Sequence, residues 1–462
     1  MEHRRSGKAK VMNIVIVGCG KVGISLVDKL SREGNDITVI DRNPRRVQMV
    51  TDTYDVIGVV GNGANFATQM EAGVAEADIF ISVTGSDELN LLCCIVAKRS
   101  SDCAAIARVR TPDYSEDSSY LKGKLGLAMI INPEKESARE ISRILCLPTA
   151  IGVSSFAGGR AEMIRIRVPE DNLLHGRTLS QLAPQLGGSV LICAVERCGK
   201  VTIPNGSFQL HSGDLVTFIC PSRDSRVFLE CIGFDTEQVR NALIIGGSRA
   251  GYYLARQLMR VGVEVCIIES DRARCEELSD LLPRATILHG DGTDADVLRE
   301  AGIEHAEAVV PLTGIDEENI LLTLHAQEVS DAKVVTKINR IMFPEAIEKL
   351  NLGSVVCPKD ITTNAIVAYV RSRSASKDSN IETLVRLFDD RAEAIEFVAQ
   401  PDSPVLDTPL KNLSLKDDLL ITCINRKGRI LIPGGDECIC TGDSVIIVTT
   451  HVGLRELEDI LA

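Results

Sequence analysis

The stretch Asn13-Ile14-Val15-Ile16-Val17-Gly18-Cys19-Gly20-Lys21-Val22-Gly23 is an apolar run ending in G-x-G-x-x-G, and an acid, Asp41, follows downstream. Consecutive apolar residues over 14–17 predict a strand covered on both faces. Gly18 permits the tight exit from that strand, Gly20 lets backbone approach a pyrophosphate, and Gly23 lets the next helix pack against the sheet. The helix start at Lys21 and Val22 then offers unpaired N–H groups and a positive dipole end to phosphates. Asp41 closes the second predicted strand, where a carboxylate accepts hydrogen bonds from adenosine ribose hydroxyls. The same carboxylate repels a 2′-phosphate and disfavours NADP, with neighbouring Arg42 acting against it.

The signature returns in the second half. Asn241-Ala242-Leu243-Ile244-Ile245-Gly246-Gly247-Ser248-Arg249-Ala250-Gly251 repeats the turn, and the spacing from Gly251 to Glu269 equals that from Gly23 to Asp41. A nearly constant offset between the copies persists beyond it. Gly61-Asn62-Gly63-Ala64 corresponds to Gly290-Asp291-Gly292-Thr293. Thr84-Gly85-Ser86-Asp87-Glu88-Leu89-Asn90 corresponds to Thr313-Gly314-Ile315-Asp316-Glu317-Glu318-Asn319. Strand and helix patterns alternate in both halves, so the chain is a tandem duplication of a parallel-sheet unit. One such motif points to a dehydrogenase. Two, each with a small appendage and no substrate domain, point to a nucleotide sensor.

The appendages have their own pattern. Short alternating strands are expected over 163–168, 189–195 and 215–219, closed by a helix over 223–232. The series recurs over 394–398, 419–424 and 444–448, with a closing helix over 452–461. The fold class is therefore α/β, with two Rossmann-like parallel-sheet domains, each followed by a small α+β domain. The expected bounds are 12–140, 150–233, 240–368 and 380–462. The serine- and charge-rich run 371–378 reads as the clearest linker, and 233–238 as a second joint.

Further candidates cluster at the carboxyl edge of the expected sheets, where open parallel sheets bind ligands. Lys21 and Arg249 hold equivalent places inside the glycine turns, from which a cation reaches a polyphosphate tail. Arg108 and Lys337 lie in the fifth strands, Ala107-Arg108-Val109 and Thr336-Lys337-Ile338. Asn62 and Asp291 follow the third strands. Thr84 and Thr313 follow the fourth, where helix capping is the alternative role. In the second turn Ser248 places a Cβ and a hydroxyl where Gly20 leaves room. Glu269 replaces Asp41 with one more methylene. Asn132-Pro133-Glu134 is matched by Cys357-Pro358-Lys359, so an acid in one copy becomes a base in the other.

No catalytic residue emerges. None of the seven histidines occupies a place shared by both halves, and neither G-x-S-x-G nor a Walker lysine motif occurs. A length of 462 residues allows three or four domains. A net charge of -13 argues against nucleic acid or anionic lipid as the main partner. The 15 cysteines, an odd number without a CxxC pair, read as small buried hydrophobes of a reducing compartment and not as a metal site. No apolar run reaches the roughly 18–20 residues that span a bilayer. The polar, basic stretch 1–8 has no secretory character and is expected to be a flexible extension ahead of Met12.

The module order, taken with Gly18-Cys19-Gly20-Lys21-Val22-Gly23, Asp41, Gly290-Asp291-Gly292-Thr293 and Asp87-Glu88-Leu89-Asn90, resembles the TrkA family. Its members are cytoplasmic peripheral subunits of bacterial and archaeal Trk potassium-uptake systems, built as TrkA-N (also RCK or KTN), TrkA-C, TrkA-N, TrkA-C. The resemblance implies binding of NAD(H) and of ATP or ADP in the N modules. It implies a tetrameric ring docked on a membrane-embedded potassium-conducting subunit, and thus a cytoplasmic location, peripheral on the inner face of the membrane. It also implies that Lys21 and Glu134 handle a terminal phosphate. Ser248 and Lys359 depart from the pattern and put the second site in question. Three alternatives compete, one of them a purely structural pair of degenerate Rossmann folds, against which the intact Gly18, Gly20, Gly23 and Asp41 argue. An NAD-dependent oxidoreductase would need a general acid or base, and an RCK-type regulator of a different cation transporter would reuse the same N module.

Overall fold

The computed structural model describes residues 11–112, 114, 118–184, 189–234, 236–339, 347, 349–374, 381–388, 390–401 and 403–462. The expected extension 1–8, residues 375–378 of the expected linker and residue 235 of the second joint lie outside the described residues. The chain divides into two compact units, residues 1–133 with 359–382, and residues 134–358 with 383–462.

The first unit holds a parallel sheet of β1 (Asn13–Val17), β2 (Asp36–Asp41), β3 (Ile57–Val60), β4 (Ile79–Ser82), β5 (Ala104–Arg108) and β6 (Met129–Ile131). Its order is β3-β2-β1-β4-β5-β6. The chain reverses its direction of travel across the sheet between β1 and β4, so the loops leaving these two strands part and open a crevice at their carboxyl ends. The α-helices connecting β1 through β5 are α1 (Lys21–Arg32), α2 (Pro44–Thr53), α3 (Phe66–Glu71) and α4 (Asp87–Ser100). Their starts are set locally. Asn43 caps α2 by accepting from the Arg45 N–H, with Pro44 preset for the first turn. Ser86 caps α4 by accepting from the Leu89 N–H at 3.2 Å.

The central strands β1 and β4 are buried, as their apolar runs require. The edge strand is not, since Ile57 and Val60 of β3 are 66% and 52% exposed. An unbroken apolar run thus marks cover on both faces only for strands that have neighbours on both sides.

The helix Pro358–Ser374 belongs, from Lys359 on, to this first unit, although the sequence places it after the second parallel sheet. It is held against α1. Arg371 pairs with Glu33 at 2.6 Å, and Lys29 donates to Asn364 at 3.3 Å and faces Asp360 at 3.6 Å. Arg371 is 1% exposed. The expected linker is therefore, over residues 371–374, the end of a packed helix. Its charge is used in an ion pair that composition cannot reveal.

The second unit contains three sheets. One consists of β7 (Gly152–Phe156), β8 (Ala161–Arg167), β9 (Leu191–Arg197), β10 (Lys200–Thr202) and β11 (Leu215–Pro221), antiparallel in the order β10-β9-β11-β8-β7. A second repeats the parallel sheet strand for strand. It comprises β12 (Asn241–Ile245), β13 (Glu264–Glu269), β14 (Thr286–His289), β15 (Ala308–Pro311), β16 (Lys333–Lys337) and β17 (Ser354–Val356), in the order β14-β13-β12-β15-β16-β17. The third comprises β18 (Ile381–Leu387, in this unit from Thr383 on), β19 (Ala392–Val398), β20 (Leu419–Arg426), β21 (Arg429–Leu431) and β22 (Ser444–Thr449). Its order, β18-β19-β22-β20-β21, is that of β7–β11 again. The fold is thus α/β, two Rossmann-like parallel-sheet domains each followed by an antiparallel-sheet module.

Each small module has five strands where three were expected, because β7, β10, β18 and β21 lack a clear alternating run. The first closing helix is present at Ser225–Cys231. The second, expected over 452–461, is replaced by a short 3-10 turn, Leu457–Ile460. Gly453 sits at φ +97°, a left-handed conformation that an α-helix cannot pass through.

The two antiparallel sheets share one core, in which Phe156, Met163 and Ile219 meet Phe388, Ala394 and Val448. Glu396, 1% exposed, accepts from the Ala157 N–H at 3.0 Å and from the hydroxyls of Thr383 and Ser444. The matching place in the first module holds Arg165, whose guanidinium lies 5.7 Å from the Phe388 ring centroid. The shared interface therefore joins unlike halves, an acid against backbone on one side and a cation against an aromatic ring on the other. Among the described residues no helix is long and apolar enough to cross a membrane.

Candidate functional site

The crevice between β1 and β4 is a cleft of about 830 Å³. Of the residues singled out in the first copy, Gly18, Gly20, Lys21, Val22, Asp41, Thr84 and Arg108 line it. Gly23, Asn62 and Glu134 do not. Gly23 lies under the turn, where an added Cβ would stand 1.9 Å from the Gly18 carbonyl oxygen. Asn62 accepts from the Ala64 N–H at 3.2 Å, and its neighbours Gly61 and Gly63 reach the lining instead. Glu134 stands in the first turn of the helix Pro133–Cys146, within the second unit. Gly18 has φ +105°, which only glycine adopts readily. A Cβ on Gly20 would meet nothing within 4 Å, so that position faces open cleft.

Asp41 ties the cleft together. Its carboxylate accepts from the Cys19 N–H and from the Asn43 N–H, each at 2.8 Å, bridging the glycine turn to the start of α2. Any ribose contact would share a carboxylate that already orders the turn. Burial, and then the charge of Asp41, push the Cys19 thiol up to about 12. Cys19 is therefore a protonated packing residue at neutral pH.

The opposite wall is organised by a residue with no assigned role in the sequence reading. Asn90 is fully buried in α4. It accepts from the Ser82 hydroxyl at 2.9 Å and from the Thr84 N–H and hydroxyl at 2.7 Å, and it donates to the Arg108 carbonyl at 2.8 Å. One amide thus clamps the end of β4 to the end of β5. Thr84 consequently serves the clamp, while Ser86 caps the helix. Arg108 donates to the Thr84 carbonyl at 2.7 Å while lining the cleft. The recurrence of Asn90 as Asn319 was the available signal. Asn319 accepts from the Thr313 N–H at 2.9 Å and donates to the Lys337 carbonyl at 3.0 Å.

Asp87, one turn earlier, fixes the next loop. Burial raises its carboxyl, but bonds from the Thr111 hydroxyl and from the N–H groups of Arg110 and Thr111 outweigh this, with the Arg110 charge adding. The result lies below the usual carboxylate range.

The second parallel sheet carries a cleft of about 570 Å³ at the same edge. Gly246, Ser248, Glu269, Asp291 and Thr313 line it, whereas Arg249, Gly251 and Lys337 do not. Gly251 repeats the role of Gly23, with an added Cβ 2.5 Å from the Gly246 oxygen. Lys337 is 8% exposed and spends its ammonium on the carbonyls of Leu312 at 3.2 Å and Thr313 at 2.7 Å. A cation within an apolar strand therefore faces the crevice in the first copy and caps backbone in the second. Glu269 accepts from the N–H groups of Gly247 and Asp271, each at 2.8 Å, just as Asp41 does. All 15 cysteines are free, and no cluster among the described residues is suited to hold a metal.

Comparison with known proteins agrees with this fold and module order. The TrkA-N domain pattern matches residues 14–133 and 242–358, and the TrkA-C domain pattern matches 163–233 and 394–462. The Trk system potassium uptake protein TrkA of Azorhizobium caulinodans is 29% identical over 460 residues, covering 97% of this chain and 98% of that protein. The Trk system potassium uptake protein TrkA homolog 1 of Methanosarcina mazei is 30% identical over 455 residues, covering 97% and 99%. Among solved structures, the GsuK channel bound to NAD superposes with a TM-score of 0.63 at 19% identity, covering 96% of this chain and 79% of that one. That likeness speaks for the fold.

Proposed function

The chain belongs to the TrkA family, and we propose that it is the nucleotide-sensing regulatory subunit of a Trk-type potassium uptake system. The observation that carries this reading is the first cleft, a switch-point crevice with open space at Gly20 and four cations, Lys21, Arg42, Arg46 and Arg108, on its lining. Such a lining suits the pyrophosphate of NAD(H) and the phosphates of ATP or ADP. Asp41 offers the ribose an acceptor, and Lys21 is the proposed contact for a terminal phosphate.

In this reading the four modules, at 12–140, 150–233, 240–368 and 380–462, assemble with those of other copies into a tetrameric ring on the cytoplasmic face of a potassium-conducting membrane subunit. A ligand shifts a conformational equilibrium only by its differential affinity for the two states. Sites that change shape as modules rotate supply that difference, and no chemical step is required of the protein.

Calorimetric titration of the purified chain with NADH, NAD, ATP and ADP, with NADPH as control, tests the reading. Saturable binding of the adenine nucleotides with weaker NADPH binding is expected. Absence of binding by all four, or turnover of bound NADH with a small carbonyl compound at an enzymatic rate, overturns it.

A further inference from the structure

We propose that the second cleft excludes nucleoside di- and triphosphates and dinucleotides, so that each chain takes a single nucleotide, in the first cleft. The proposal rests on the nucleotide reading of the first cleft and adds stoichiometry and the residues that set it.

The two clefts have opposite charge. Among the described residues, Lys21, Arg42, Arg46 and Arg108 line the first against one carboxylate, Asp41. Glu269, Asp271, Asp291 and Glu318, again among the described residues, line the second against one cation, Arg274. The inversion is made position by position. Asn43 becomes Asp271, Leu89 becomes Glu318, and Arg42 becomes Ser270. Asn62, off the first lining, becomes Asp291 on the second.

Among the described residues, two of the cations near the second cleft are committed elsewhere. Arg274 donates to the Gly247 carbonyl at 2.8 Å and pairs with Glu277 at 2.7 Å. Lys337 is buried against the carbonyls of Leu312 and Thr313. Arg249 is exposed and off the lining. Asp291 is firmly ionised, because the N–H and hydroxyl of Thr293 hold its carboxyl below the usual range.

A helix N-terminus brings only about half a positive charge to such a site. Four carboxylates outweigh it, and a ligand carrying two or more negative charges is repelled. The crowding at Ser248 is a lesser matter, since its side chain occupies one corner of an open cleft.

The test is the number of ADP molecules bound per full-length chain by calorimetry. One is expected in the parent, and it should vanish in Gly20→Ala. The combined variant Asp271→Asn, Asp291→Asn, Glu318→Leu carries at each place the residue that the first copy has. An asparagine caps its helix as Asp271 does, as Asn43 already demonstrates. This variant should bind two ADP, with each substitution worth roughly tenfold in affinity. The effect should shrink as salt screens the charges.

Two ADP per chain in the parent overturns the proposal. So does a single site persisting in the combined variant, or a second site gained by Ser248→Gly with the carboxylates intact. If the parent binds none and the combined variant binds one, the exclusion stands while the nucleotide reading of the first cleft falls.

Discussion

Gly20 and Gly23 share one turn, yet an added methyl group acts on them through different physics. At Gly23 it would collide with the Gly18 carbonyl, so Gly23→Ala must separate α1 from the sheet. A loss of several kcal/mol, about 3 or more, is expected in thermal or denaturant unfolding. At Gly20 the methyl meets only open cleft, so Gly20→Ala should unfold at nearly the parent temperature while losing most nucleotide affinity. Normal binding by Gly20→Ala would show that phosphate does not approach this turn. Asp41→Ala removes the acceptor of two backbone N–H groups as well as a ribose contact. Its unfolding free energy should therefore fall by about 1–3 kcal/mol, alongside roughly tenfold weaker binding. Unchanged stability would mean that the bridge from Cys19 to Asn43 contributes nothing. The glycines and the acid were legible because their spacing is chemistry written in sequence order. Asn90 was not, since its partners Ser82, Thr84 and Arg108 converge only once the sheet exists.

At the scale of elements, legibility followed periodicity. The central strands β1 and β4 were found because, apart from Asn13 and Ser82, they are apolar throughout. The edge strands β7, β10, β18 and β21 were not, and Gly453 broke a helix that the flanking pattern suggested. The run 371–374 looked like a linker because a buried arginine and a solvated one are identical in composition; only the distance to Glu33 separates them. The helix Pro133–Cys146 offers a pH test. Burial pushes the Glu140 carboxyl up to about 7 against the charges of Arg143 and Arg165. With an unfolded value of about 4.3, the unfolded state gives up its proton first as pH rises. The stability Glu140 contributes is thus full below about 4.3 and is lost progressively up to about 7. Glu140→Gln should match the parent near pH 4.5 and exceed it at pH 8 by about 1–3 kcal/mol. A constant difference between the two across this range would refute the assignment. Asp87 acts with the opposite sign. Its depressed carboxyl stabilises the fold above about pH 4, and that contribution is lost as pH falls through its lower folded value.

At the scale of the whole molecule, duplication preserved one topology and changed the charge of the cleft. The strand order and the carboxylate that bridges each turn recur in both halves, whereas the lining changes sign. The duplication and the domain order were readable in the sequence, because matching motifs such as Gly61-Asn62-Gly63 and Gly290-Asp291-Gly292 keep a nearly constant offset. The inversion was not readable, because which of Asn62 and Asp291, or of Arg108 and Lys337, faces the crevice depends on side-chain direction. A regulator needs such asymmetry less than it needs coupling between nucleotide and pore. The direct measurement is potassium flux through the Trk-type membrane subunit of the same organism, reconstituted in vesicles with this chain, as ADP, ATP or NADH is varied. The account predicts flux that depends on the chain and changes with nucleotide, and that loses its nucleotide dependence in Gly20→Ala. Flux indifferent to the chain, or a nucleotide response that persists unchanged in Gly20→Ala, would contradict it.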